Sequence, residues 1–169
     1  MAVALTLLED VRWRGQVVAG DRPRALLAAL AAAGGRPVPD GRLVELVWGD
    51  EAPADATKSL QVLVSRTRAA CGADAIVRDG AGYRLGIGSS EVDSARLAAL
   101  VREARAALEV DAASARMLAR EALALADGLP PPDRDGDGAL AALRRAGAAD
   151  AAAARAVLAR ASSRVGAHA

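Results

Sequence analysis

The sequence predicts a mostly α-helical protein with a small β component, and three observations carry that expectation. The first is alanine. Of the 169 residues 53% are hydrophobic but only 2% aromatic, with no Phe, and Ala makes up most of the apolar fraction. Alanine loses no side-chain entropy in a helix and is the best helix former. The second is the order of patterns in the first half: short β-rich runs, three helical periodicities, then a hairpin with a Gly-rich tip. The third is the second half, where helix spacing dominates from residue 92 onward.

Residues 3–8, 11–14 and 16–18 are short apolar or alternating runs broken by Glu9-Asp10 and Gly15, which read as two or three small strands. Pro23 suits the first turn of a helix, where its missing N–H has no partner to lose. Leu26, Leu27 and Leu30 follow at helix spacing until Gly34-Gly35. Asp40, as an N-cap, begins a second helix marked by Leu43, Leu46 and Val47 and closed by Trp48-Gly49. A third helix spans 55–71, with Gly72 past its end. Ile76-Val77-Arg78 and Tyr83-Arg84-Leu85 flank a Gly-containing tip, the mark of a β-hairpin. Strands, three helices and a hairpin in this order describe a winged helix-turn-helix, whose last helix enters the DNA major groove.

The third helix has two faces. Leu60, Val64, Thr67 and Cys71 stack on one side at spacings of 4, 3 and 4. Lys58, Val62, Ser65 and Ala69 fall opposite, flanked by Gln61 and Arg66, with Arg68 nearer the core boundary. Arg forks onto guanine or phosphate, Gln pairs with adenine, and Ser and Lys position phosphates. Taken alone, an Arg-bearing helix face is more often plain solvated surface. Charge adds modest support: residues 58–84 hold five basic and two acidic side chains, a net +3, against +1 for the whole chain. So small a footprint implies few phosphate contacts.

Three segments, in order, resemble the Streptomyces antibiotic regulatory protein family, whose DNA-binding half is an OmpR-type winged helix. Residues 42–50 are similar to the family's helix ending in Leu-Trp-Gly-Asp. Residues 59–68 are close to its Leu-Gln-Val-x-Val-Ser-Arg-x-Arg recognition helix, and Gly82-Tyr83-Arg84-Leu85 matches the end of its wing. The resemblance implies that Lys58, Ser59, Gln61, Val62, Ser65, Arg66 and Arg68 face double-stranded DNA. It also brings a wing at 76–85, with Arg78, Tyr83 and Arg84, to the minor groove. It implies binding to promoter repeats as a homodimer and, through the helical second half, contact with RNA polymerase or other transcription proteins. Three positions depart from the family pattern. Thr67 stands where a core Leu is usual. Leu63 stands where a polar or Tyr phosphate contact is common. Asp79, near the wing tip, would repel the DNA backbone, with Arg78 as the compensating neighbour.

The second half continues as helices. Leu97, Leu100, Val101, Ala104 and Leu108 keep helix spacing; Asp111 recaps; Met117, Leu118, Glu121, Ala122 and Leu125 follow. This is a helix pair near the tetratricopeptide length, similar to the opening of the family's bacterial transcriptional activation domain. One or two further Ala-rich helices are expected over 137–164. The domain expectation is therefore 1–90 for the winged helix and 91–169 for a partial tetratricopeptide-like domain with a flexible Pro/Asp/Gly connector at 129–138. That makes the chain similar to the front of a longer regulator, and an incomplete solenoid leaves an apolar face in need of a partner. Residues 91–169 balance 11 basic against 11 acidic side chains, which argues against a second DNA-binding surface.

Composition excludes other classes. One Cys and one His leave no disulfide framework, no Cys-cluster zinc site and no Ser/His/Asp set, so neither an enzyme nor a cofactor is expected. Asp133-Arg134-Asp135-Gly136-Asp137-Gly138 imitates the start of a calcium loop, but Arg144 falls where a bidentate Glu belongs. No apolar run reaches a membrane span of about 20 residues, and the first residues lack a basic secretory n-region, so a cytoplasmic protein is expected. Cys71 reads as a small core residue, and His168 lies in the tail. The reading that follows is a sequence-specific DNA-binding transcriptional regulator, which the family resemblance implies is an activator. The alternative is a protein-interaction module whose winged helix no longer binds DNA.

Overall fold

A computed structural model describes residues 2–131 and 138–166. The calcium-loop reading, most of the expected connector and His168 lie outside the described residues. The chain is mostly helical, with two small antiparallel sheets. The first sheet is β1 (Leu5–Thr6), β2 (Arg12–Trp13) and β3 (Gln16–Val17), in the order β1-β2-β3. Arg14 and Gly15, both at positive φ (46° and 83°), form the two-residue turn between β2 and β3. That conformation matches the right-handed twist of the strands it joins.

Helix α1 (Asp21–Ala32) carries Asp21 in its first turn, where a carboxylate suits the positive helix end. Its inner line, Leu26, Leu27 and Leu30, is fully buried. Next come β4 (Val38–Pro39) and α2 (Asp40–Trp48); Pro39 is the N-cap and Asp40 the first helical residue, so Asp40 does not cap as expected. Helix α3 (Ala56–Cys71) is capped by Asp55, whose carboxylate accepts from the Lys58 N–H at 3.0 Å. Strands β5 (Ile76–Asp79) and β6 (Gly82–Leu85) form the wing hairpin in register Arg78↔Tyr83 and Asp79↔Gly82. Strand β4, which no local pattern announced, pairs with β6 to give the order β4-β6-β5. Gly82 is required there: a Cβ would lie 2.3 Å from the Val38 carbonyl oxygen.

The second half is α4 (Asp93–Leu108), α5 (Ala112–Leu125) and the 28-residue α6 (Ala139–Gly166). Asp111 caps α5, accepting from the N–H groups of Ala113 and Ser114 at 3.0 and 3.2 Å. The inward line of α5 is Ala115, Ala119 and Ala122. Met117, expected on that line, is instead 68% exposed. The three helices meet through small side chains, so their backbones approach closely, and a long thioether has no room between them. Leucine dominates the first core and alanine the third, while the second mixes the two.

The two halves share a seam. Leu5 bridges to Val92, and Leu8 belongs to the core under α4 and α6. The buried Asp93 carboxylate accepts from the Leu7 N–H at 2.9 Å and the Leu8 N–H at 3.0 Å. Arg144 of α6 donates its Nε–H to the Leu7 carbonyl at 3.0 Å and also binds the Glu9 carbonyl. The segment 7–9 is thus held through its N–H groups by α4 and through its carbonyls by α6. Burial pushes the Asp93 carboxyl above its ordinary range, against the lowering effect of the backbone N–H groups and of Arg144.

Candidate nucleic-acid interface

Two patterns build the candidate surface: the 3.6-residue period of α3 and the two-residue alternation of the wing. On α3, Leu60, Val64, Thr67 and Cys71 are buried, as their spacing predicts. Leu63 joins them, so this departure from the family pattern is a core contact. The Thr67 hydroxyl donates to the Leu63 carbonyl at 2.8 Å, which satisfies a polar group that is 1% exposed. Burial raises the Cys71 thiol above its ordinary range and keeps it protonated.

The opposite face of α3 presents Lys58, Gln61, Val62, Ser65 and Arg66 to solvent, with Ser59 half-buried at the edge. Val62 is 42% exposed, unusual for an apolar side chain on a helix that also has a core face. Among the described residues, the side chains of Lys58 and Arg66 make no hydrogen bond or ion pair. Arg68 differs. Its Nε–H donates to the Ile76 carbonyl at 2.8 Å, and its guanidinium lies 5.9 Å from the centre of the Tyr83 ring. It ties α3 to the wing.

The wing register separates its side chains onto two faces. Ile76, Tyr83 and Leu85 are buried on the inner face, and Arg78 lies at that face's edge, directly across from Tyr83. Its guanidinium sits 4.6 Å from the Tyr83 ring centre and binds both Asp40 carboxylate oxygens, at 2.7 and 3.0 Å. Asp40 chiefly raises the Arg78 pKa further above its already high ordinary value. Tyr83 itself is 7% exposed. On the outer face Asp79 and Arg84 are diagonal neighbours, and the Arg84 Nε–H donates to Asp79 Oδ2 at 2.8 Å. Arg84 also reaches the Leu85 carbonyl at 3.1 Å.

The structure therefore brings Lys58, Gln61, Val62, Ser65 and Arg66 together on one exposed face. It places Arg68, Arg78 and Tyr83 in a packed stack at the wing base, and Arg84 in an ion pair beside them. Arg78, the expected compensating neighbour of Asp79, turns to Asp40 instead, and Arg84 meets Asp79. Strand alternation could have revealed the Asp79–Arg84 diagonal. Asp40, 38 residues away from Arg78, had no local signal. A cavity of about 670 Å³ lies away from this surface, between the end of α1, α4 and α6, and is lined by a mixture of Ala, Ser and charged side chains.

Residues 15–85 match the family model described as "Transcriptional regulatory protein, C terminal". The chain is 36% identical over 134 residues to regulatory protein AfsR of Streptomyces griseus, a match spanning 75% of this chain and 14% of that protein. It is 37% identical over 135 residues to regulatory protein AfsR of Streptomyces coelicolor, spanning 75% of this chain and 13% of the relative. Among solved structures, Mycobacterium tuberculosis EmbR in complex with a low-affinity phosphopeptide shares the fold with a TM-score of 0.79 at 23% identity. That match covers 97% of this chain and 46% of EmbR.

Proposed function

Residues 15–85 are an OmpR-type winged-helix domain of the transcriptional regulatory protein family, the chain is homologous to the AfsR regulators, and from that premise we propose that it binds double-stranded DNA sequence-specifically. The family is one of transcriptional regulators rather than enzymes. Helix α3 enters the major groove and the wing approaches the minor groove. Arg66 reads guanine, Gln61 reads adenine, Val62 meets a thymine methyl, and Lys58, Ser59 and Ser65 position phosphates. Arg68, Arg78 and Tyr83 hold the wing at its angle to α3, and Arg84 is the wing cation nearest the backbone. The observation that carries this reading is the exposed outer face of α3, with Lys58 and Arg66 free of partners among the described residues.

The division into a DNA-binding unit at 1–90 and a tetratricopeptide-like unit at 91–169 belongs to the same proposal. So do activation through polymerase contact, a homodimer on repeated sites and a cytoplasmic location. Among the described residues, no helix is long and apolar enough to cross a membrane.

Binding of the protein's own upstream DNA, measured against salt, tests the reading. Arg66→Ala relaxes base preference; Lys58→Ala weakens binding evenly and lowers the salt slope by about one. A protein that binds DNA but responds to neither change contradicts the assignment of the α3 face. The second reading, an interaction module, draws on the ion-paired wing arginines. It predicts no DNA affinity even at low salt, together with a stable protein complex.

A further inference from the structure

The wing arginines are both paired, but the two pairs are built differently. Arg78 touches two carboxylate oxygens of Asp40 and lies over the Tyr83 ring, at the edge of the buried face. Removing it from that place breaks three contacts at once. Arg84 stands on the outer face. Its carboxylate partner, Asp79, ends β5 beside the turn, and the side chains are 35% and 49% exposed. Surface ion pairs of this kind are weak and exchange partners readily. A phosphate oxygen offers the guanidinium the same bidentate chemistry as a carboxylate.

We propose that Asp79 sets the wing's affinity for a phosphate backbone by holding Arg84 in an internal ion pair that a DNA phosphate must displace. The inference rests on the DNA-binding reading above. It makes Asp79 a positioning residue: it keeps a cation on the wing's outer face occupied until a phosphate competes for it. The competition is steep in salt, because releasing Arg84 adds a counterion-releasing phosphate contact. Simple repulsion between Asp79 and DNA is a different mechanism, since it does not need Arg84.

A double-mutant cycle separates the two. Equilibrium binding of the full chain to its upstream duplex is measured for wild type, Asp79→Asn, Arg84→Gln and the double variant. Asp50→Asn is the control: it makes the same charge change at an exposed carboxylate that has no partner among the described residues. Asp79→Asn tightens binding by about three- to tenfold near 0.1 M salt, whereas Asp50→Asn changes affinity less than about twofold. The gain disappears when Arg84→Gln is added. A gain that survives Arg84→Gln, or that Asp50→Asn reproduces, overturns the proposal and leaves plain repulsion. If no variant binds duplex at low salt, the DNA-binding reading itself fails, and this inference fails with it.

Discussion

Lys58 and Arg66 on α3 stand with their charges toward solvent, whereas Arg78 and Arg84 on the wing are each held by a carboxylate. Both elements contribute to the same basic segment. Counted along the chain that segment is +3, but the wing's share is cancelled once its partners are included, and one partner, Asp40, lies outside the counted residues. The electrostatic footprint therefore sits on α3. Charge on the α3 surface stays available because the following neighbours at three and four residues are Gln61 and Val62 for Lys58 and Ala69 and Ala70 for Arg66, while Asp55, three residues before Lys58, is engaged in the helix cap. Charge on a hairpin faces a second strand, and cross-strand neighbours meet closely enough to pair.

The foundations of the two elements give the largest contrast. Leu60 is fully buried beneath α3, and Leu60→Ala costs about 2–5 kcal/mol of stability. Gly82→Ala forces a Cβ against the Val38 backbone and costs about 1–3 kcal/mol, loosening β4 from β6 while α3 keeps its place. Denaturant unfolding, with amide chemical shifts of the wing and of α3, checks both. Equal disruption of both elements by Gly82→Ala breaks the comparison.

A smaller effect separates binding from stability. Arg66→Ala loses about 1–3 kcal/mol of discrimination at one base pair and leaves the melting temperature nearly unchanged. Arg78→Ala lowers the melting temperature, because Asp40 loses its partner and Tyr83 its stacked cation. Thermal unfolding and binding measured on the same two variants test the split. An Arg78→Ala protein with wild-type stability contradicts the bracing role.

The smallest effect concerns acids and extends the contrast between surface and buried groups to the helical half. Hydrogen bonds from Ser114, its hydroxyl first, lower the exposed Asp111 carboxyl below its ordinary range. Its capping contribution is present above the unfolded-state value of about 3.9 and fades as pH falls through the lowered folded value. Asp93 is the opposite case. Its folded pKa is raised, so its titration favours the fold below about 3.9, and that advantage is lost as pH rises through the raised value. On acidification the first turn of α5 frays before the seam at Leu7 and Leu8 opens. Amide exchange at Ser114 and Leu8 followed against pH checks the order, and earlier loss at Leu8 contradicts it.

Much of this architecture was legible in the sequence, because short-range periodicity set it. The inward line of α3, the hairpin and the opening of α4 follow from spacing and turn residues. What the sequence hid depends on distant partners. Strand β4 is two residues long and exists only because β6 pairs with it. Leu63 flanks the inward line, and only the width of the neighbouring elements decides that it is covered. Met117 looked inward because it is large and apolar; the close approach of α4 and α6 selects alanine there instead. Asp93 and Arg144 grip the segment 7–9 across separations of 85 residues or more, beyond any local pattern. In the candidate site, the exposed cations were legible from helix spacing, but the carboxylates that occupy the wing were only half visible.

The most direct test is a titration of the isotopically labelled protein with its upstream duplex, followed residue by residue by NMR. The account predicts the largest shifts at Lys58, Gln61, Val62, Ser65 and Arg66, smaller ones at Arg84, and little change on α5. Shifts concentrated on α4–α6, with the outer face of α3 undisturbed, would contradict it.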